Sequence, residues 1–217
     1  MIRLRAVFSK KDRAKYISHL DLNRCMLRTF RRSGLPIWYT EGFHSHPYFS
    51  FALALSLGYE SDCEILDFNL NEEVPPNEVR DRLNAVMPDG MKIISVAEQK
   101  LKITAITNAE YSFSLITDSP ELLMNNIKSL INQEQILIEK KTKKGIKTVD
   151  IKPDMKIISF EVSEKSVDMV MRLPAGTQTN YNPSLFFEAL KKSSEMPFET
   201  AKIRRTGIFC ENNEIFS

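Results

Sequence analysis

His19, His44 and His46 are the only histidines of the 217-residue chain, and all three fall between Tyr16 and Gly58. Histidines two apart on extended backbone share a face, and one at the start of a helix could converge with them. Such a set offers three chemistries. It could bind a divalent metal. It could cleave RNA without a metal, one imidazole acting as base toward a 2′-hydroxyl and another as acid toward the leaving oxygen. With Phe43 and Tyr48 beside it, it could instead stack on bases and hydrogen-bond their edges without reacting. No carboxylate or thiolate is spaced with the three as a further ligand, so no metal and no cofactor is expected. The chain has no Gly-x-Ser-x-Gly, no His-Glu-x-x-His and no paired catalytic carboxylates. Catalytic candidates are therefore His19, His44 and His46, and the balance leans toward a protein that is not itself an enzyme.

Between the first two histidines lie Arg24, Arg28, Arg31 and Arg32. The first three follow i, i+4, i+7 and stack on one helix side, with Arg32 beside them, where guanidiniums repel unless anions or acids answer them. Arginines rather than lysines suit bidentate contacts to phosphate. Residues 1–50 hold ten Lys/Arg against three Asp/Glu, so a formal total of +2 hides a basic front end. Six of the 20 aromatics lie between Trp38 and Phe51. Basic charge interleaved with aromatic rings suits a polyanion with stackable bases. The acidic stretch from Glu60 to Glu98, with ten acids against three bases, could instead reach back and neutralise the stripe. A second group of candidates for phosphate contact lies later in the chain: Lys140, Lys141, Lys143, Lys144 and Lys147 across a hairpin tip, Arg172 before a Gly176-containing loop, and Arg204 and Arg205 on the last strand.

These side chains need elements to hold them. Arg3–Ser9 alternates as a half-exposed strand, with Arg3, Arg5 and Val7 on its outer face. Ser18, with Asp21 three residues on, starts a helix that runs to Ser33, and Gly34 with Pro36 stops it. His19 falls on the Leu22–Met26–Phe30 side of that helix and is expected to be partly buried. Strands are expected at Ile37–Thr40, at Phe49–Leu57 (apolar on both faces and hence central), at 63–70 and at Met91–Ala97, with a helix from Pro75-Pro76 to Val86. After a polar link at 99–108 the order recurs, with strand Tyr111–Thr117, a helix from Ser119 to Asn132, hairpins over 136–151 and 157–173, a helix to Lys192 and a strand from Ala201 to Cys210. The fold class expected is α+β: two tandem ferredoxin-like halves of βαββαβ type with antiparallel sheets, residues 1–99 and 108–217.

No run approaches the roughly 18 apolar residues of a membrane span, and the start, MIRLRAVFSKK, lacks a signal-peptide core. Cys25, Cys63 and Cys210 form no C-x-x-C pair, which points to reduced thiols and a cytoplasmic protein.

Several blocks resemble a domain family associated with radical SAM proteins: Ile17-Ser18-His19-Leu20-Asp21-Leu22, Arg31-Arg32-Ser33-Gly34-Leu35-Pro36, Glu41-Gly42-Phe43-His44-Ser45-His46-Pro47 and Ser50-Phe51-Ala52-Leu53. Lys143-Lys144-Gly145, Val149-Asp150-Ile151 and Arg205-Thr206-Gly207 resemble its second half. The likeness covers essentially the whole chain. It implies an accessory or substrate-recognition role toward structured RNA (tRNA or rRNA), with the radical SAM protein acting in trans. More distantly, the doubled layout with an early helix histidine is similar to the CRISPR-repeat-processing endoribonucleases, which implies fold alone. A protein–protein adaptor whose basic front docks on an acidic enzyme is the remaining expectation.

Overall fold

The computed structural model describes residues 1–142, 145–176, 179–194 and 196–217, and at 140–142 the backbone. The protein is a mixed α+β structure with a mostly antiparallel sheet and, among the described residues, four α-helices. It divides into two compact units, residues 1–105 with 204–217, and residues 106–203.

In the first unit the elements are β1 (Ile2–Lys10), α1 (His19–Ser33), β2 (Phe49–Phe51), β3 (Glu60–Leu70), α2 (Pro76–Asn84) and β4 (Met91–Glu98). The strand order is β4-β1-β3, and β2 pairs antiparallel with β3, Phe49 opposite Phe68. The two-residue period of β1 puts Leu4, Ala6 and Phe8 on one face, and the helical period of α1 puts Leu22, Met26 and Phe30 toward them. With Phe68 and Leu70 of β3 and Val79 and Leu83 of α2 they form one core. Each of these side chains larger than alanine stabilises the unit by about 1.5–3 kcal/mol on burial.

α1 begins and ends where its sequence directs. Ser18 has extended backbone and its Oγ accepts from the Asp21 N–H at 3.1 Å, satisfying one of the donors the first turn leaves open. Gly34 closes the helix at φ +65°. Arg82 of α2 donates to the Ser33 carbonyl at 3.2 Å and to the Gly34 carbonyl, a cation on the negative end of the helix dipole.

Two expected strands differ. Over 37–40 the chain makes only single bridges, Ile37 to Leu70 and Tyr39 to Pro47. The run from Phe49 to Leu57 is a strand only over Phe49–Phe51, which is half-buried rather than central. Leu53 and Leu55 are buried without strand pairing, and a short apolar run does not by its period alone distinguish a central strand from a buried loop. Arg5, expected on an outer half-exposed face, is 2 % exposed. It meets Asp67 through two bonds of 2.7 and 2.9 Å, donates to the Leu101 carbonyl at 2.8 Å, and lies 4.1 Å from the Phe216 ring centre. Residues 204–217, read from sequence with the second half, belong to the first unit for the same reason: Phe216 and Arg205 both complete its buried contacts.

The second unit holds β5 (Asn108–Ile116), α3 (Pro120–Ile131), β6 (Leu137–Thr142), β7 (Gly145–Asp150), β8 (Lys156–Val162), β9 (Ser166–Pro174), α4 (Ser184–Ser193) and the start of β10 (Glu199–Phe209). β5 pairs antiparallel with β9 from Asn108–Pro174 to Ile116–Ser166, and β8 follows on the far side of β9. Alternation buries Tyr111, Phe113 and Leu115 on one face of β5, where Phe113 meets the rings of Phe186 and Phe187 of α4 at 6.3 and 4.8 Å between centres. β6 and β7 form a separate two-stranded sheet.

Candidate nucleic-acid interface

The side of α1 turned away from the core carries the arginine stripe. Asp21, Arg24, Cys25, Arg28, Arg31 and Arg32, with Pro88, line an open concavity of about 600 Å³. Arg24 is held by Asp21 at 3.0 Å in an exposed i, i+3 pair. Arg32 donates to the Val86 carbonyl at 2.7 Å. Arg28 and Arg31 have neither ion pair nor hydrogen bond among the described residues. The acidic stretch does not neutralise them: none of its carboxylates lines the hollow, and six of the ten have partners elsewhere. Glu60 faces Lys15 and Arg204, Asp62 faces Lys11 and Arg204, and Glu64 faces Arg205. Asp67 faces Arg5, Glu78 faces Arg82 and Asp81 faces Arg80. The result is a cationic hollow with one carboxylate, Asp21, at one end. Hydrogen bonds from Ser18 and Arg24 hold the Asp21 carboxyl below the usual carboxylate range.

The Thr40–Tyr48 loop is a separate, exposed feature of the same unit. Gly42 takes φ +109°, a backbone conformation that side chains disfavour, and lets the chain reverse at Glu41–Ser45. Backbone bonds from Thr40 to His46 at 2.9 Å and from Tyr48 to Trp38 at 3.0 Å close its base. Phe43 is 106 % exposed at its tip, without apolar cover. His46 Nδ1 lies 2.9 Å from the His44 carbonyl oxygen and 3.1 Å from Thr40 Oγ1. A carbonyl only accepts, so Nδ1 carries the proton and Nε2 is left to face solvent. Tyr48 is exposed and meets Trp38 edge-on at 5.3 Å.

His19 is exposed, where partial burial was expected. As the first residue of α1 it projects past the core, and its ring meets Phe51 edge-on at 5.4 Å. Among the described residues no three His, Cys, Asp or Glu side chains are grouped to hold a metal ion, so His19, His44 and His46 are not gathered into one centre.

Three of the arginines expected to touch nucleic acid are engaged inside the protein. Arg172 donates to Glu110 across the β5–β9 pair at 2.7 Å, both side chains largely covered. Arg204 bonds Glu60 at 3.1 Å. Arg205 is 3 % exposed, bonded to Glu64 and to the Ala54 carbonyl, each at 2.8 Å. A strand pairs its charges with those of its neighbours, a relation that no local spacing announces. Lys147 is exposed on β7, opposite Lys140 in register. The side chains of Lys140 and Lys141, and Lys143 and Lys144 altogether, lie outside the described residues, as do Thr177 and Gln178 of the loop after Arg172.

Sequence reading missed a buried polar cluster at the end of β1. Lys10 is 1 % exposed and donates to the Ile17 carbonyl at 2.9 Å. Burial lowers its pKa, and the Glu64 carboxylate acts in the opposite direction. Cys63, bonded through its N–H to Ser61 Oγ, has its thiol pKa pushed up to about 12, first by burial and then by Glu64. A lysine at the end of an otherwise apolar strand face, opposite a run of acids, was the available signal.

No helix among the described residues is long and apolar enough to cross a membrane. No curated protein matches the sequence. Among solved structures, the chain is similar to a chain in the crystal structure of a Cbf5-Nop10-Gar1 complex, at 10 % identity and a TM-score of 0.48 over 95 % of this chain. It spans half the length of that chain. The model of a family described as uncharacterized protein conserved in bacteria (DUF2344) matches residues 3–183, and the chain belongs to that family.

Proposed function

We propose that this protein is a non-catalytic, cytoplasmic RNA-binding partner that presents a structured RNA, a tRNA or rRNA, to a radical SAM enzyme supplied in trans. The observation that carries the RNA half is the pair Arg28 and Arg31, two exposed guanidiniums in one hollow with neither ion pair nor hydrogen bond among the described residues, in a unit whose buried arginines Arg5 and Arg205 are paired with acids. Phosphates of one strand are spaced to meet neighbouring guanidiniums one helical turn apart, and Arg24 and Arg32 frame the hollow from fixed positions. Phe43, His44 and Tyr48 add ring faces for unpaired bases. The enzyme half rests on the resemblance of the Ile17–Leu22 and Glu41–Pro47 blocks to the radical-SAM-associated family.

The layout is read as two tandem ferredoxin-like halves. In the first unit the order β4-β1-β3-β2 with α1 and α2 as crossovers supports this. In the second, β5-β9-β8 with α3 and α4 supports it, the β6–β7 pair being an insertion.

Binding of a labelled hairpin RNA, measured by anisotropy over a salt series, tests the reading. Affinity should fall by about tenfold or more between low and moderate salt if several phosphates are engaged. The Arg28→Ala/Arg31→Ala double variant should bind more weakly and with a shallower salt slope. A normally folded double variant that binds as wild type does removes the hollow from the RNA interface. Capture of the tagged protein from its host, with a radical SAM enzyme and crosslinked RNA copurifying, tests the partnership.

A further inference from the structure

A carboxylate is out of place in a phosphate site, and Asp21 sits at one end of this one. Its Oδ1 takes a bond from Arg24 at 3.0 Å and its Oδ2 one from Ser18 Oγ at 2.8 Å. Each oxygen keeps a further lone pair, and the side chain is 58 % exposed, so both can be reached from the hollow. Capping of α1 does not require this carboxylate, since the Ser18 Oγ bond goes to the Asp21 backbone N–H. The hydrogen bonds from Ser18 and Arg24 favour the ionised form, so at neutral pH the group only accepts.

A ligand that places phosphate on Arg28 and Arg31 must therefore bring a hydrogen-bond donor, not another anion, to the Asp21 end. A ribonucleotide strand has such a donor on the same repeating backbone as its phosphates, the 2′-hydroxyl; a deoxyribonucleotide strand has none there. Base amino groups are donors too, but they sit on base edges away from the sugar–phosphate chain. Resting on the RNA-binding reading above, we propose that Asp21 is a specificity-determining residue that accepts a hydrogen bond from a ribose 2′-hydroxyl while Arg28 and Arg31 hold the strand's phosphates, so that the hollow selects RNA over DNA.

The test compares a hairpin RNA with its 2′-O-methyl counterpart, which keeps the bases and the A-form shape but lacks the hydroxyl donor, and with DNA of the same sequence, all at one salt concentration. Wild-type protein should bind the RNA about tenfold more tightly than the 2′-O-methyl strand, the loss expected when a hydrogen bond to a charged group is removed. Asp21→Ala should bring that ratio close to one, and should bind the DNA at least as tightly as wild type does, because the carboxylate's repulsion is gone. Gly34→Ala, which weakens α1 at its other end without touching Asp21, should keep the wild-type ratio and so separates recognition from helix stability. A wild-type ratio near one, or an unchanged ratio in Asp21→Ala, overturns the inference and leaves phosphate binding by Arg28 and Arg31 standing. Failure of wild-type protein to bind any of the three strands overturns the RNA-binding reading itself, and this inference with it.

Discussion

Arg205 and Glu64 lie 2.8 Å apart with both side chains 3 % exposed, a fully buried ion pair joining the last strand to β3. Lys10, 1 % exposed, also feels the Glu64 charge. One carboxylate thus acts on two buried cations, and the cluster holds two backbone segments: Lys10 bonds the Ile17 carbonyl just before α1, and Arg205 bonds the Ala54 carbonyl after β2.

Glu64→Gln should accordingly be among the most destabilising single changes in the first unit. It leaves the buried Arg205 guanidinium without its counter-charge and removes the negative charge near Lys10, at a cost of about 3–5 kcal/mol. Urea unfolding should show a lower midpoint with an unchanged slope. RNA affinity of the remaining folded protein should be that of wild type, because no residue of the hollow touches Glu64. Loss of less than ~1 kcal/mol would mean that water or relaxation replaces the pair.

The contrast between this pair and the α1 stripe shows what sequence carries and what it hides. The stripe was legible because its period is local: four arginines at helical spacing, a Ser–Asp start and a Gly stop dictate which side each faces. Arg172, Arg204 and Arg205 look just as available in sequence, yet their partners Glu110, Glu60 and Glu64 lie 62, 144 and 141 residues away. Strand order decides those pairings, and strand order is a property of the whole chain. Asp21 was visible as a cap residue, but its place inside the hollow depends on Pro88, from beyond α2. The Phe49–Leu57 run failed for a different reason, since apolar residues on both faces describe a buried loop as well as a buried strand.

Cys63 gives a pH-dependent readout of the same region. Its thiol pKa is raised to about 12, so the folded state favours the neutral thiol. A raised pKa contributes stability that is complete below the ordinary thiol value near 9 and is lost as pH climbs from there through about 12. At pH 8 a thiol reagent should label Cys63 only as the protein unfolds, because the thiolate is the reacting form. Mass mapping of labelled peptides across a urea series checks this. Rapid labelling of Cys63 in native protein would show that the β3 end opens.

Gly34→Ala tests the stop of α1. At φ +65° an alanine is strained by about 1 kcal/mol, and its Cβ would stand 3.0 Å from Arg82 Nη2, which must then shift from the helix end. Thermal unfolding should therefore show a loss of about 1–2 kcal/mol, with Arg82→Ala costing a comparable amount through the same carbonyls. A neutral Gly34→Ala would mean that the helix end relaxes into another cap.

The histidines separate the recognition reading from an endoribonuclease. His44 is exposed on the loop, and His46 has its Nδ1 proton directed to the His44 carbonyl. Among the described residues neither imidazole is hydrogen-bonded to a second acid or base, and His19 meets the Phe51 ring edge-on. His44→Ala should leave stability unchanged and weaken RNA binding modestly, through loss of a contact beside Phe43. His19→Ala should cost about 0.5–1.5 kcal/mol, the worth of an edge-on ring pair, and no more, since the imidazole is exposed. In both variants, as in wild type, labelled hairpin RNA should remain intact after prolonged incubation with EDTA. Cleavage by wild-type protein that resists EDTA, peaks near neutral pH where imidazoles share protons, and disappears in either variant would make these residues an acid–base pair and the protein a nuclease.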